Sequence, residues 1–295
     1  MTLAKLIMLV IQGSIFLTVF SLGLHATLRD AVSLWHRPRA LFRSLLAMYI
    51  IMPLFAVWLS RTFHLDPAVE VALLVLAVSP IPPILPTKGA KVGAHSSYVF
   101  GLLVGTAVLS VVVTPIAIGL LSLVFGAERH VPAATIAFVV MKTVLVPLSL
   151  GMMVRRFWPA TADRVAGPIG KIAMLVLLLC VVLLFLAARE KIGDVIGNGT
   201  IVAIAAFVIV GLMVGQMLGG SDREDSTFLA IATASRHPGV AFAIANSVAP
   251  DQKLVIGVLL LYLLVNGVIG APYSKWRKRG SPAAPAAGPL PHPSH

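Results

Sequence analysis

Runs of twenty or more apolar residues recur along the whole of this chain, and that recurrence limits its fold more than any motif it carries. About 20 apolar residues wound as an α-helix cross the ~30 Å hydrocarbon core of a bilayer. In that core every backbone N–H and C=O has to be bonded within the protein, which leaves helices and closed barrels. The runs are continuously apolar rather than alternating, so a barrel does not fit. Charged side chains make up 12% of the residues, about half the share usual in soluble domains. The reading is an all-α polytopic membrane protein of about nine spans, near 5–27, 39–61, 67–94, 96–123, 132–156, 162–188, 195–219, 224–248 and 252–275. Lys5 ahead of an apolar run resembles a secretion signal, but the run is long and further spans follow, so it reads as the first span. The one cysteine, Cys180, lies inside an apolar run, which rules out a disulfide framework.

A net charge of +12 raises the question of a nucleic-acid partner, and its distribution answers no. The basic residues sit in short loops between spans, where they set orientation. One side collects Arg29, Arg37, Arg39, Arg43, Lys88, Lys91, Arg155, Arg156, Arg164, Arg223, Lys275, Arg277, Lys278 and Arg279. The other collects Lys5, Arg61, Arg129, Arg189, Lys191 and Lys253. The richer side is expected in the cytoplasm, with the N-terminus outside, the C-terminus inside and a bacterial inner membrane as the location. Residues 1–279 read as one transmembrane domain, and the Pro/Ala-rich residues 280–295 as a disordered cytoplasmic tail.

Two spans are interrupted. The third contains "SPIPPILPTKG", with Pro80, Pro82, Pro83 and Pro86, and the eighth contains "SRHPG", with Pro238 and Gly239. Each proline removes a backbone donor and clashes with the preceding turn, so neither span continues as one helix. The carbonyls so freed have to be buried in protein or face a watery cavity. The breaks lie five spans apart, and each is followed by one further span. That offset inverts one unit relative to the other, as in secondary transporters whose binding sites form where broken helices meet. The first repeat would run from about 5 to 123 and the second from about 132 to 276.

Several stretches in this order resemble the bile acid:sodium symporter family. They are "VFSLGLHATLRDAVSLWHRPRALFRSLLAMYIIMPLFAVWLS", "AVEVALLVLAVSP", "MKTVLVPLSLGMMVRRF", "SRHPGVAFAIANS" and the Asn266-Gly267 pair. The resemblance covers residues from about 14 to 276 and implies a nine-span form of that family's fold, with two broken, crossing helices. It also implies organic-anion uptake coupled to sodium, yet the chain departs from the pattern where that coupling resides. The family's first break reads Pro-Gly-Gly-Thr-x-Ser-Asn, against Pro80 to Pro86 here. The Glu, Gln and Asn of its second break fall on Ala232, Arg236 and His237. Sodium wants several oxygen ligands, often with a carboxylate among them. All eleven Asp and Glu residues lie in loops or near span ends, so no metal site is expected.

Arg236 is charged at any relevant pH, and a charge at the bilayer centre costs at least ~2.5 kcal/mol. Two roles follow: its guanidinium takes the carboxylate of an anionic substrate, or it satisfies carbonyls freed by the breaks. His237 could exchange a proton during transport or simply be a hydrogen-bonded ring. Lys142, in mid-span, is a second cation at the site or a lysine bonded to backbone carbonyls. Thr233, Ser235, Asn246, Asn266, Ser79 and Thr87 are candidate polar liners, Thr87 also a cap for the helix after the first break. Lys171, near the basic-side start of its span, is expected to snorkel. No enzyme motif such as HExxH or Gly-x-Ser-x-Gly is present, and no cofactor is implied. The expected function is a secondary transporter for a small organic anion, sodium-independent and either facilitated or proton-coupled. The alternatives are a sodium-coupled bile acid or organic anion symporter with a relocated ion site, and a non-transporting sensor or scaffold.

Overall fold

The computed structural model describes residues 3–82, 85–125, 132–196, 199–248 and 254–279. Every regular element among them is a helix. The first is α1 (Leu3–His25), followed by a short α2 (Leu28–Ser33) and then α3 (Pro38–Leu45) and α4 (Met52–Phe63), which a π-helical turn at Leu46–Ile51 joins into one rod. The third span divides into α5 (Pro67–Val78) and α6 (Leu85–Val92), and α7 (Ser96–Phe125) closes the first half. The second half opens with α8 (Ala133–Val140) and α9 (Val146–Phe157), joined by a π turn at Met141–Leu145. After it come α10 (Pro159–Ile196), α11 (Thr200–Leu218), the divided pair α12 (Arg223–Ala234) and α13 (Pro238–Val248), and α14 (Leu254–Arg279). In chain order these make nine segments, two of them broken.

Among the described residues, six helical stretches are long and apolar enough to cross a membrane: Pro38–Phe63, Ser96–Leu120, Ala133–Phe157, Thr200–Leu218, Arg223–Val248 and Leu254–Arg279. The third segment is not among them because α5 has 12 residues and α6 has 8, or ~18 Å and ~12 Å at 1.5 Å per residue. Helix breaking was expected at Pro86, but Pro86 is the second residue of α6 and Pro238 the first of α13. Proline lacks only a donor that is orphaned in a first turn, so both start helices. The break itself occupies Ser79 to Pro82, and Pro83 lies outside the described residues. Thr87 is the third residue of α6, inside the helix it was expected to cap. The tail 280–295 also lies outside the described residues.

Packing sorts the helices into two bodies. One is α1 laid against α9 and α10; the other gathers α4, α5, α7, α11, α12 and α14 around the two breaks. Glycines set both close approaches. A Cβ on Gly23 would stand 2.3 Å from the Leu148 carbonyl, and one on Gly151 2.3 Å from that of Phe20, so α1 and α9 cross backbone to backbone. On α11, a Cβ at Gly211 would meet Ala234 Cα at 2.8 Å and one at Gly215 would meet Ala230 Cα at 2.5 Å. This Gly-x-x-x-Gly pair brings α12 into direct contact with α11, as small residues do between membrane helices. It is why α12 is buried along nearly its whole length.

Candidate functional site

The two breaks meet, and main chain bonds to main chain across them: the His237 N–H donates to the Pro80 carbonyl at 2.9 Å. Around this bond, donors from four other places converge on carbonyls that helices would otherwise have used. The α5 end is closed by Ser79 itself, whose Oγ donates to Val75 O at 2.6 Å and whose N–H donates to Leu76 O at 3.1 Å. The three carbonyls from Val78 to Pro80 are then taken in sequence. Val78 O accepts from Thr114 Oγ1 at 2.9 Å, Ser79 O from Arg236 Nη1 at 3.3 Å, and Pro80 O from His237 N.

Arg236 also reaches a third segment: its Nη2 donates to Met48 O at 2.9 Å. The π turn explains why that carbonyl is free. The Met52 N–H reaches back five residues to Ala47 O, so Met48 O would next need an N–H at residue 53, and Pro53 has none. The guanidinium is 1% exposed and forms no ion pair among the described residues.

The second break is fastened by Tyr262. Its hydroxyl accepts from the Arg236 N–H at 2.7 Å and donates to Ala234 O at 2.8 Å, bridging the end of α12 to the start of the break. The His237 ring caps α13: Nδ1 accepts from Val240 N at 3.3 Å, which requires that nitrogen unprotonated. Asn266 Nδ2 donates to Ser235 Oγ at 3.3 Å. Three buried polar atoms at this break have no partner among the described residues, namely Thr233 Oγ1, Arg236 Nε and His237 Nε2.

The crossing therefore brings together Arg236, His237, Ser235, Asn266 and Ser79, with Thr233 one turn away in α12. It does not include Lys142, which is exposed on the outer face of the α8–α9 rod, nor Asn246, exposed on α13. The side chain of Thr87 lies outside the described residues. Sequence reasoning missed Tyr262, Thr114 and the Met48 carbonyl. It also missed a cavity of about 650 Å³ between the two bodies, lined by Thr18, Ser21 and His25 of α1, Pro86 of α6, Phe100 of α7 and Lys171 of α10. Lys171 thus borders this crevice. The hydroxyls there are taken up by main chain, Thr18 Oγ1 donating to Ser14 O of its own helix at 2.5 Å and Ser21 Oγ donating across to Ala166 O of α10 at 2.8 Å. The lining is accordingly mostly apolar, with Lys171 and His25 its basic residues. Farther along α1 the crevice ends where Ile15, 2% exposed, presses against Gly239, its Cδ1 2.4 Å from where a Cβ would stand.

Comparison with known proteins agrees with this architecture. The profile of the Sodium Bile acid symporter family matches residues 14–195. A curated relative from Oryza sativa subsp. japonica, named "Probable sodium/metabolite cotransporter BASS3, chloroplastic", is 27% identical over 208 residues, which is 68% of this chain and 47% of the relative. The chain therefore spans about half the length of that relative.

Proposed function

The chain belongs to the sodium bile acid symporter family, and from that premise we propose that it carries a small organic anion by alternating access without a sodium ion. The observation behind the proposal is the state of the first break, where the Val78, Ser79 and Pro80 carbonyls already accept from Thr114, Arg236 and His237. A hard cation needs a cage of several oxygens. Here the oxygens that such a cage would use are engaged by protein donors, and a guanidinium supplies the positive charge from a fixed position. A tethered cation cannot be drawn from a gradient, so the carrier would equilibrate its substrate rather than concentrate it on sodium. The rice relative's name includes sodium; this chain departs, in our reading, from the family's pattern at the two breaks.

The substrate class follows from charge. The crevice offers an apolar body with Lys171 on its wall, and the crossing offers Arg236 Nε, His237 Nε2 and Thr233 Oγ1 as unpaired polar atoms. Such a path suits an anion with an apolar frame, its charged end passing from Lys171 toward the arginine. Ser79, Ser235 and Asn266 then act as scaffolding for the crossing.

The test is uptake of labelled organic anions into proteoliposomes with sodium replaced by choline, with and without a pH gradient. We expect flux unchanged in choline, insensitive to the pH gradient and lost in Arg236→Ala. Flux that requires sodium would return the chain to sodium-coupled symport with its ion elsewhere. A response to the pH gradient would bring in a proton through His237. Binding without flux across the whole panel would favour a sensor on this fold.

A further inference from the structure

A second cavity, of about 420 Å³, lies apart from the crossing and the crevice, between the start of α3, the start of α7 and the turn that joins α11 to α12. Its charged groups divide into a committed set and an uncommitted one. Arg37 stands 3.9 Å from Asp225 Oδ2. Asp225 Oδ1 accepts from the His95 N–H at 3.0 Å, and Asp222 caps α12 by accepting from Asp225 N at 2.8 Å. Arg39 and Arg43 remain. They sit four residues apart, and so on one side of α3, are exposed, and form no ion pair among the described residues.

The wall opposite them is the turn from Gly219 to Asp222 with Asp225 after it, and its two glycines carry no side chain. Gly220 has φ +91°, which side-chain-bearing residues rarely adopt, and Arg43 Nη1 lies 3.2 Å from where its Cβ would be. Two guanidinium forks beside these glycines match a tetrahedral oxyanion, which arginine takes through paired N–H donors. The rim indicates the source of that oxyanion. Trp35 and Phe42 flank the arginines and are 55% and 64% exposed. Aromatic rings so placed at helix ends lie at headgroup depth in a membrane, and a soluble anion would gain nothing from them.

We propose that this recess holds the phosphate of an anionic phospholipid, gripped by Arg39 and Arg43, with Trp35 and Phe42 set into the acyl boundary beside it. The site bears on the crossing through two rods. From α3 the chain runs to the Met48 carbonyl, and from the Gly220 turn α12 runs to Arg236. The proposal is independent of the transport reading.

The test is thermal unfolding of the full chain in detergent with added phosphatidylglycerol, phosphatidylcholine or inorganic phosphate, together with lipid binding by native mass spectrometry. We expect phosphatidylglycerol alone to raise the midpoint by several degrees. Arg39→Gln with Arg43→Gln should remove most of that rise and weaken binding about tenfold or more. Lys278→Gln with Arg279→Gln removes the same charge at the end of α14, where Arg277 Nε donates to Thr227 Oγ1 of α12 at 2.9 Å, and should keep the rise. Arg39→Lys with Arg43→Lys keeps charge without the forks and should bind with intermediate strength. Equal losses in the two glutamine pairs, or full retention in the lysine pair, would reduce the site to surface charge and overturn it. So would the absence of any rise with phosphatidylglycerol, or an equal rise with inorganic phosphate.

Discussion

Arg236 stays in the membrane because its two Nη groups meet carbonyls that nothing else would serve, Ser79 O and Met48 O. A buried carbonyl left unpaired costs about 1–3 kcal/mol, so the guanidinium's desolvation is offset by the penalties it prevents. The same logic singles out Tyr262, whose hydroxyl serves two main-chain groups at once. Tyr262→Phe keeps the ring and strands both, and we expect a loss of about 2–4 kcal/mol, read as a lower thermal midpoint in detergent. Thr114→Val, close in shape, strands only Val78 O and should cost about half as much. An unchanged midpoint in Tyr262→Phe would mean that these groups find other partners. Arg236 and His237 were legible in the sequence because a charge and a titratable ring interrupt an apolar segment. Tyr262 was not, since one hydroxyl in "VLLLYLLVNG" says nothing of a partner 28 residues away. Lys142 shows the converse failure. Its polarity marked it, but it sits in a π turn, whose extra residue turns the following side chains by ~100° relative to a regular helix. The structure leaves it outside the crossing.

At the scale of elements, the two π turns are one device used twice. Each ends just before a proline, Pro53 in one rod and Pro147 in the other, and in each the last N–H reaches back five residues, Met52 to Ala47 O and Val146 to Met141 O. Both prolines are visible in the sequence, but nothing there marks a carbonyl aimed at another helix. Pro53→Ala would return an N–H that Met48 O can accept within its own rod. We therefore expect Pro53→Ala to rescue part of the stability lost in Arg236→Met, by about 1 kcal/mol in a double-mutant cycle. Strict additivity of the two would sever Arg236 from the π turn. Close approach of helices makes a second prediction at this scale. Gly215→Val places a side chain 2.5 Å from Ala230 Cα and 2.6 Å from Leu229 O, backbone atoms that cannot swing aside. Gly267 in α14 has nothing within 4 Å of its would-be Cβ. Gly215→Val should cost about 3 kcal/mol or more in stability, with poor yield, while Gly267→Val should behave like the parent. Composition does not rank the two glycines, and only the Gly211 partner four residues before Gly215 sets them apart in sequence.

At the scale of the whole molecule, two broken spans were enough to read that the breaks meet, as the His237 N–H on the Pro80 carbonyl shows. The division into two bodies was not legible, because apolar runs carry no mark of which neighbour each will cover. That division is what gives transport a geometry. The crevice between α1, α6, α7 and α10 holds about 650 Å³ of space. One turn of α1 beyond Thr18, Ile15 packs with Ile11, Leu177 and Cys180 in an apolar cluster against the second break. In the alternating-access mechanism proposed above, access to the far face would require Ile15 to leave Gly239, so tying these two positions together should arrest the cycle. Ile15 Cγ1 lies 2.6 Å from the Cβ position of Gly239; one C–C bond more puts the two Cβ positions within about 4.1 Å, inside the ~3.5–4.5 Å range of a disulfide. In a Cys180→Ser background, Ile15→Cys with Gly239→Cys should form that bond on oxidation and abolish uptake in proteoliposomes, and reductant should restore it. Each single cysteine controls for the substitutions themselves. Uptake that continues at full rate through the cross-link would mean that α1 and the second break move as one body, and that the boundary on which alternating access depends lies elsewhere.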